Sequence, residues 1–325
     1  MRALLCRELG SRDGLRIESI REPTPAADEA IIEVRAAGLN FFDTLIVAGR
    51  YQFKPELPFS PGAEIAGRVV ETGEALSHIT PGDRVMAFIG WGGLRERVAV
   101  KTQSIIALPQ GVSDETAAAL QVTYGTAYHA LHDRGNLKEG ESLVVLGAAG
   151  GTGQAAVELG KILGARVIAA ASNREKLEFC RAIGADEVIN SGSEDVKERI
   201  RELTGGRGAD VIFDPVGGAL TEAAFRAIGW GGRHLIVGFA AGDIPRLPLN
   251  LPLLKSASLV GIFWGEHARR DPDRHRSDMA YLLGLLQAKR INPHIYRIYT
   301  LEEAKQALND ISDRRIKGKA VITFA

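Results

Sequence analysis

The chain has 325 residues, 45% hydrophobic and 25% charged, the proportions of an ordinary globular protein long enough for two cores. Its 40 Lys and Arg balance 40 Asp and Glu, which excludes the one-sided field that recruits nucleic acid or an anionic membrane, so a small-molecule substrate is the expected partner. The two cysteines, Cys6 and Cys180, lie far apart in apolar contexts, and no secretory h-region or membrane-length apolar run is read; a cytoplasmic protein without a disulfide scaffold is expected.

Short strands are predicted over residues 1–6, 30–36, 64–71 and 83–88, punctuated by Pro23, Pro25 and the turn Pro81-Gly82-Asp83. Such strands predict a compact, barrel-like β domain. Ser113-Asp114-Glu115, ahead of the alanine-rich residues 116–120, marks a helix start. From Ser142 onward the pattern alternates. Strands are expected over 143–146, 166–171, 187–189, 210–213, 233–237 and 257–263, with helices over 152–163, 174–183, 195–203 and 223–228 between them. That rhythm calls for a parallel sheet covered by helices on both faces. A helix over 277–288 and a strand over 320–324 follow. The fold class expected is α/β, with residues 1–120 as the first part of one domain, 121–263 as a nucleotide-binding domain and 264–325 as the return.

The stretch Leu143-Val144-Val145-Leu146-Gly147-Ala148-Ala149-Gly150-Gly151-Thr152-Gly153 carries the strongest chemical signal. An apolar strand ends there in glycines and a helical pattern begins at once. Backbone N–H groups at such a helix N-terminus, together with its dipole, stabilise a pyrophosphate. Gly150 and Gly153 match the last two glycines of G-x-G-x-x-G, and Ala148 stands in the first position. Ala149, Gly150, Gly151, Thr152 and Gly153 are therefore cofactor-binding candidates.

Taken in order, Ala37-Gly38-Leu39-Asn40-Phe41-Phe42-Asp43-Thr44, Pro61-Gly62-Ala63-Glu64-Ile65-Ala66-Gly67, the glycine loop, Leu203-Thr204-Gly205-Gly206-Arg207-Gly208-Ala209-Asp210 and Asp214-Pro215-Val216-Gly217-Gly218 carry a resemblance. Over essentially its whole length the chain resembles the zinc-free quinone oxidoreductase (zeta-crystallin-like) branch of the medium-chain dehydrogenase/reductase family. The resemblance implies a GroES-like β-barrel catalytic domain, a Rossmann-type doubly wound domain inserted before its end, and hydride transfer in the cleft between them.

No metal is expected. A zinc lobe of four thiolates needs more cysteines than are present. Asn40 replaces the ligand cysteine of zinc-dependent relatives, and Gly62-Ala63-Glu64 replaces their Gly-His-Glu. Without a Lewis acid, an acceptor already activated by conjugation is favoured, such as a quinone or an α,β-unsaturated carbonyl.

An acid at the tip of the second Rossmann strand binds the ribose of NAD and repels a 2′-phosphate. Here residues 167–171 run into Ser172-Asn173-Arg174-Glu175-Lys176, with no acid at the tip and two cations suited to a phosphate. NADPH is the expected cofactor, with Ser172, Arg174 and Lys176 beside its 2′-phosphate. Ser172-x-x-Glu175 reads equally as a capping box. Relatives also use a tyrosine where this chain has Ser191, and an arginine near the C-terminus matched here by Arg314, with Arg315 beside it.

The resemblance places Asn40 and Thr126 near the nicotinamide, and Tyr51 where its hydroxyl meets a substrate oxygen, with water as the other proton source. Asp43 and Glu64 are expected to hold the domain interface. Gly238 and Phe239 are expected to face the nicotinamide, and Phe263 and Trp264 to wall the cleft, with ordinary apolar packing as the other reading of each pair. His129 and His132, three apart on a helix, form a ligand pair only if further ligands join them.

The main expectation is an NADPH-dependent, zinc-free reductase of quinones or conjugated carbonyls. Within enzymes the rival is an enoyl-thioester or 2-enal reductase, using Arg269-Arg270 and Arg274-x-Arg276 to hold a phosphorylated arm. A cofactor-bound structural or RNA-binding protein is the rival of another class, against which the balanced charge argues. Residues 256–263 are suited to pairing edge to edge with a second copy, so a homodimer is expected.

Overall fold

A computed structural model describes residues 1–10, 14–75 and 79–324. The chain forms two compact units, Met1–Val122 with Arg269–Gln287 and Pro293–Ala325, and Thr123–Ala268 with Ala288–Asn292.

The first unit opens with β1 (Arg2–Cys6) and β2 (Leu15–Ser19), an antiparallel pair. There follow β3 (Glu29–Leu39), α1 (Phe41–Val47), β4 (Glu64–Thr72), β5 (Arg84–Phe88), β6 (Arg97–Lys101), β7 (Ile105–Ala107) and α2 (Asp114–Ala118). Helix α2 starts where Ser113 Oγ accepts the Thr116 N–H at 3.2 Å, with Asp114 and Glu115 complementing the dipole of its first turn. It lies so close to β3 that a Cβ on Gly38 would sit 1.8 Å from the Ala118 carbonyl oxygen. Only glycine fits there.

Helix α3 (Gln121–Tyr128) leads out of this unit, and a π-helical segment, His129–Arg134, continues it. The second unit is then built from β8 (Ser142–Leu146), α4 (Gly151–Ile162), β9 (Arg166–Ala171), α5 (Arg174–Ala182), β10 (Glu187–Asn190), α6 (Val196–Leu203), β11 (Ala209–Asp214), α7 (Gly218–Arg226), β12 (Ile228–Ile236), α8 (Asn250–Lys255), β13 (Ser258–Gly261) and the start of α9 (Trp264–Arg270). Its six parallel strands lie in the order β10-β9-β8-β11-β12-β13. Counted from β8 this is 3-2-1-4-5-6, the Rossmann order, whose direction reverses between β8 and β11. The interior strands are apolar on both faces because helices cover both: Leu143, Val144, Val145 and Leu146 are all inaccessible to solvent.

The chain returns to the first unit through α10 (Pro272–Gln287), β14 (Ile295–Thr300), α11 (Ala304–Ser312) and β15 (Lys319–Thr323). Strand β15 pairs with β3, completing a sheet ordered β14-β15-β3-β4-β5-β7 with β6 also on β3.

Three sequence-based boundaries shift. The helix expected over 223–228 runs over Gly218–Arg226, and Ile228 opens β12, fully buried, because the left-handed Gly217 and Gly218 (φ 74° and 60°) turn the chain into the helix earlier. Helix α10 begins at Pro272 rather than 277, proline being tolerated where no helical N–H is required. Residues 264–268 stay with the second unit, where Trp264 is anchored on α3: a Cβ on Gly125 would lie 2.6 Å from the indole.

Candidate functional site

In the second unit the glycine loop lies at the reversal of strand order. Gly147 takes a left-handed φ of 60°, so the tight turn falls one residue before the first fingerprint position. Ala148 has no such requirement and donates its N–H to the Ala170 carbonyl at 3.0 Å, which explains why a methyl is accepted there. A Cβ on Gly153 would fall 2.3 Å from the Gly147 oxygen, so the third glycine is needed for the helix to pack against the loop. Gly150 caps α4, and the first helical bond runs from the Gln154 N–H to the Gly150 oxygen at 2.8 Å. The N–H groups of Gly151, Thr152 and Gly153 precede it at the positive end of a 12-residue helix, a geometry that suits a pyrophosphate. The helix is fixed from behind, with Gln154 Nε2 donating to the Asn292 carbonyl at 2.7 Å and Tyr124 Oη donating to Glu158 at 2.7 Å.

Strand β9 ends at Ala171, beside the end of β10, and the Ser191 N–H donates to the Ala171 carbonyl at 2.9 Å. Ser172 and Ser191 therefore follow adjacent strand tips, and Arg174 opens α5, with Ser172 and Asn173 between it and β9. The cap of α5 is Asn173, whose Oδ1 accepts the Lys176 N–H at 3.0 Å, and not the expected Ser172 to Glu175 box; the extended Asn173 (φ −156°, ψ 168°) puts its own side chain over the first turn. The Arg174 side chain is 92% exposed, and its Nε pairs with Glu178 at 2.9 Å.

At the tip of β11 the buried Asp214 carboxylate organises two loops. It accepts the N–H groups of Val216 and Gly217 at 2.9 Å each, the Thr221 hydroxyl at 2.6 Å and His234 Nε2 at 3.0 Å. Burial alone would push its pKa up, but His234, Thr221 and Gly217 hold the carboxyl below its ordinary value. Its backbone oxygen accepts from Val237 and Gly238, which positions Gly238 and the partly exposed Phe239. Thr126 is 9% exposed on α3. Phe263 is exposed, whereas Trp264 is buried against Gly125.

In the first unit Asn40 precedes α1, and its N–H donates to Asp43 at 2.8 Å. Its amide is held at both ends: Nδ2 donates to Glu64 Oε1 at 2.9 Å, and Oδ1 accepts from Lys319 Nζ at 2.8 Å. Lys319 also donates to Glu64 Oε1 at 2.5 Å, and Glu64 Oε2 accepts the Val122 N–H at 3.0 Å. Asp43, inaccessible to solvent, accepts the Gly62 N–H at 3.2 Å. Burial, opposed by those backbone donors and by Lys319, pushes its pKa up to about 7. Tyr51 stacks on Phe42 with ring centroids 5.5 Å apart; burial and the nearby Asp43 charge push its hydroxyl up to about 12. Arg314 lies in a left-handed turn after α11. Arg274 and Arg276, offered for a phosphorylated arm, lie on α10 and pair with Asp278 and Asp273 of the same helix.

The family model described as an alcohol dehydrogenase GroES-like domain matches residues 26–110, and that of a zinc-binding dehydrogenase matches 151–283. Quinone oxidoreductase-like protein 2 homolog of Nematostella vectensis is 38% identical over 99% of this chain and 88% of its own, and its Bos taurus counterpart 37% over 99% and 92%. The chain belongs to the zinc-free quinone oxidoreductase branch of the medium-chain dehydrogenase/reductase family. Among solved structures of similar fold, Escherichia coli quinone oxidoreductase complexed with NADPH superposes with a TM-score of 0.95 at 27% identity, covering all of both chains. A probable oxidoreductase from Mycobacterium abscessus does so at 0.88 and 38% identity, covering 100% of this chain and 99% of its own.

The zinc implied by one family description does not fit the donors present. At the positions of its ligands stand the Asn40 amide, the Ala63 methyl and a Glu64 carboxylate already bound to a buried ammonium, which would repel a second cation. Sequence reasoning missed Lys319 and the cluster of Asp214, Thr221 and His234. A lysine at the head of an apolar strand signals the first, but nothing in its spacing reveals that it is buried.

Proposed function

We propose that this oxidoreductase uses NADPH to reduce a quinone or another conjugated carbonyl. The observation that carries the cofactor is the tip of β9: a phosphate-binding loop of Rossmann geometry is followed by a strand end with no carboxylate over residues 172–174 and with Arg174 exposed. Ala149 to Gly153 would hold the pyrophosphate, Ser172, Arg174 and Lys176 the 2′-phosphate with Arg314 in support, and Thr126, Gly238, Phe239 and Phe263 the nicotinamide side. The complex of the Escherichia coli enzyme with NADPH supports the same choice.

Bound NADPH supplies a hydride, and the acceptor takes a proton to finish as a hydroquinone or saturated carbonyl. The chain's own part is positioning. Asn40, locked between Glu64 and Lys319, presents a fixed amide edge. Tyr51, whose proton is held tightly, acts as a hydrogen-bond donor to the acceptor oxygen while water supplies the proton.

A homodimer is part of this reading. Strand β13 ends the six-stranded sheet, and Trp230, Leu249 and Leu253 of the same unit are 77%, 78% and 78% exposed, apolar surface that supports pairing with a second copy. Steady-state oxidation of NADPH against quinones, enals and enoyl thioesters, repeated with NADH, tests the proposal. Equal rates with the two cofactors would remove the role of Arg174 and Lys176, and turnover confined to enoyl thioesters would replace the acceptor class.

A further inference from the structure

The π-helical end of α3 carries a side-chain cluster that the proposed reaction does not use. His129 and Asp133 lie four residues apart on this segment, and α9 brings His267 against them. One ligand atom from each lies within 4.8 Å of the others, and among the described residues no other trio of His, Cys, Asp and Glu side chains converges in this way. His129 Nδ1 is 3.0 Å from Asp133 Oδ2. Neighbouring ligands of a tetrahedral ion with bonds of about 2.0–2.2 Å stand roughly 3.3 Å apart, so an ion fits between these atoms with little movement of either side chain.

We propose that His129, Asp133 and His267 form a binding site for one divalent transition-metal ion of the zinc or cobalt class. The chemistry of the donors selects that class. Two imidazoles and one carboxylate are borderline ligands, poorly suited to magnesium or calcium, which take sets dominated by oxygen. The imidazoles must be neutral to bind. His267 stacks on His129 with ring centroids 4.1 Å apart and planes 14° apart. A turn about its final torsion, which is soft, directs a ring nitrogen to the ion.

Asp133 is oriented by a second imidazole, since its Oδ1 lies 2.8 Å from His132 Nδ1, and His132 is stacked on Tyr128 at 4.8 Å. Such outer partners fix the ligating carboxylate and leave a coordination position for water. The site is separate from the positions at which zinc-dependent relatives carry ligands. Its ion would clamp α9 to the continuation of α3, one turn beyond the packing of Trp264 on Gly125. Short π-helical segments of this kind are frequent where a helix carries function.

The test uses the whole protein after chelator treatment, titrated with Co²⁺ and followed by visible absorption, then with Zn²⁺ by calorimetry. Expected are one ion per chain, the intense visible bands of four-coordinate cobalt, a rise in Tm with Zn²⁺, and no competition from Mg²⁺. His267→Gln, at a half-buried position, and Asp133→Asn should each weaken binding by about tenfold or more, with far-ultraviolet circular dichroism unchanged. His132→Gln should keep the stoichiometry. No visible bands with the unmodified protein at millimolar Co²⁺, or bands of equal intensity and affinity in His129→Gln and His267→Gln, would overturn the assignment.

Discussion

The Lys319 ammonium and the Asn40 amide oxygen meet 2.8 Å apart across 279 positions of sequence, in a pocket where both residues are more than nine-tenths buried. The same ammonium binds Glu64, so one cation fixes a carboxylate and an amide at once. Lys319→Met leaves Glu64 charged, buried and unmatched. A loss of roughly 3–5 kcal/mol is expected in urea unfolding, with partial recovery in the double variant Lys319→Met, Glu64→Gln. A loss in the double variant equal to the sum of the losses of Lys319→Met and Glu64→Gln measured singly would show that the pair is not coupled.

Asp43 gives the first unit a distinctive pH response. Its folded pKa of about 7 lies above the ordinary 3.8, so the unfolded chain releases this proton first as pH rises. Its contribution is therefore fully present below pH 4 and is lost between about pH 4 and 7. At about 1.4 kcal/mol per unit the loss is on the order of 4 kcal/mol. Stability measured by denaturant from pH 4.5 to 8 should fall less steeply in Asp43→Asn than in the unmodified protein. Parallel slopes would show that another group titrates there.

Tyr51 is expected to remain protonated throughout the working range. Tyr51→Phe should lower kcat by less than about tenfold, the cost of a lost hydrogen bond, whereas loss of a general acid would cost about 10²–10⁴. The kcat of this variant, measured from pH 6 to 9, separates the two roles.

The cations after β9 make a prediction about selectivity. Arg174→Ala and Lys176→Ala should each raise KM for NADPH by roughly tenfold, in keeping with loss of a charge-assisted hydrogen bond, and leave KM for NADH nearly unchanged. A parallel rise for both cofactors would assign these residues to the fold.

Gly153→Ala addresses the loop. Its methyl would overlap the Gly147 oxygen, so α4 must shift and NADPH binding, followed by quenching of cofactor fluorescence, should weaken by more than tenfold. Ala148→Gly at the first fingerprint position should bind almost as the unmodified protein does.

The fold was legible in the sequence because its signals are local and periodic. Apolar runs ending in glycine at Leu146 and the alternation after Ser142 specify parallel strands and their helices without long-range information. The glycine loop and the β9 tip were legible for the same reason, since adjacent residues build them. Asn40 and Glu64 were each singled out, but not as partners of one another, and Lys319 was missed: Glu64 and Lys319 reach Asn40 through the pairing of β4 and β15 with β3, a register that no local pattern encodes. The third histidine of the α3 cluster was hidden likewise, because His267 arrives on another helix.

The pairing of β15 with β3 sets an order on biosynthesis. As the chain leaves the ribosome, the residues of the Rossmann sheet are complete by Gly261 and can close on one another. Strand β3, made far earlier, has to wait for Lys319–Thr323 before its remaining edge is covered. The sheet that contains β3 thus cannot be completed until residues 319–323 have been made, and until then β3 presents an uncovered edge open to pairing with other chains.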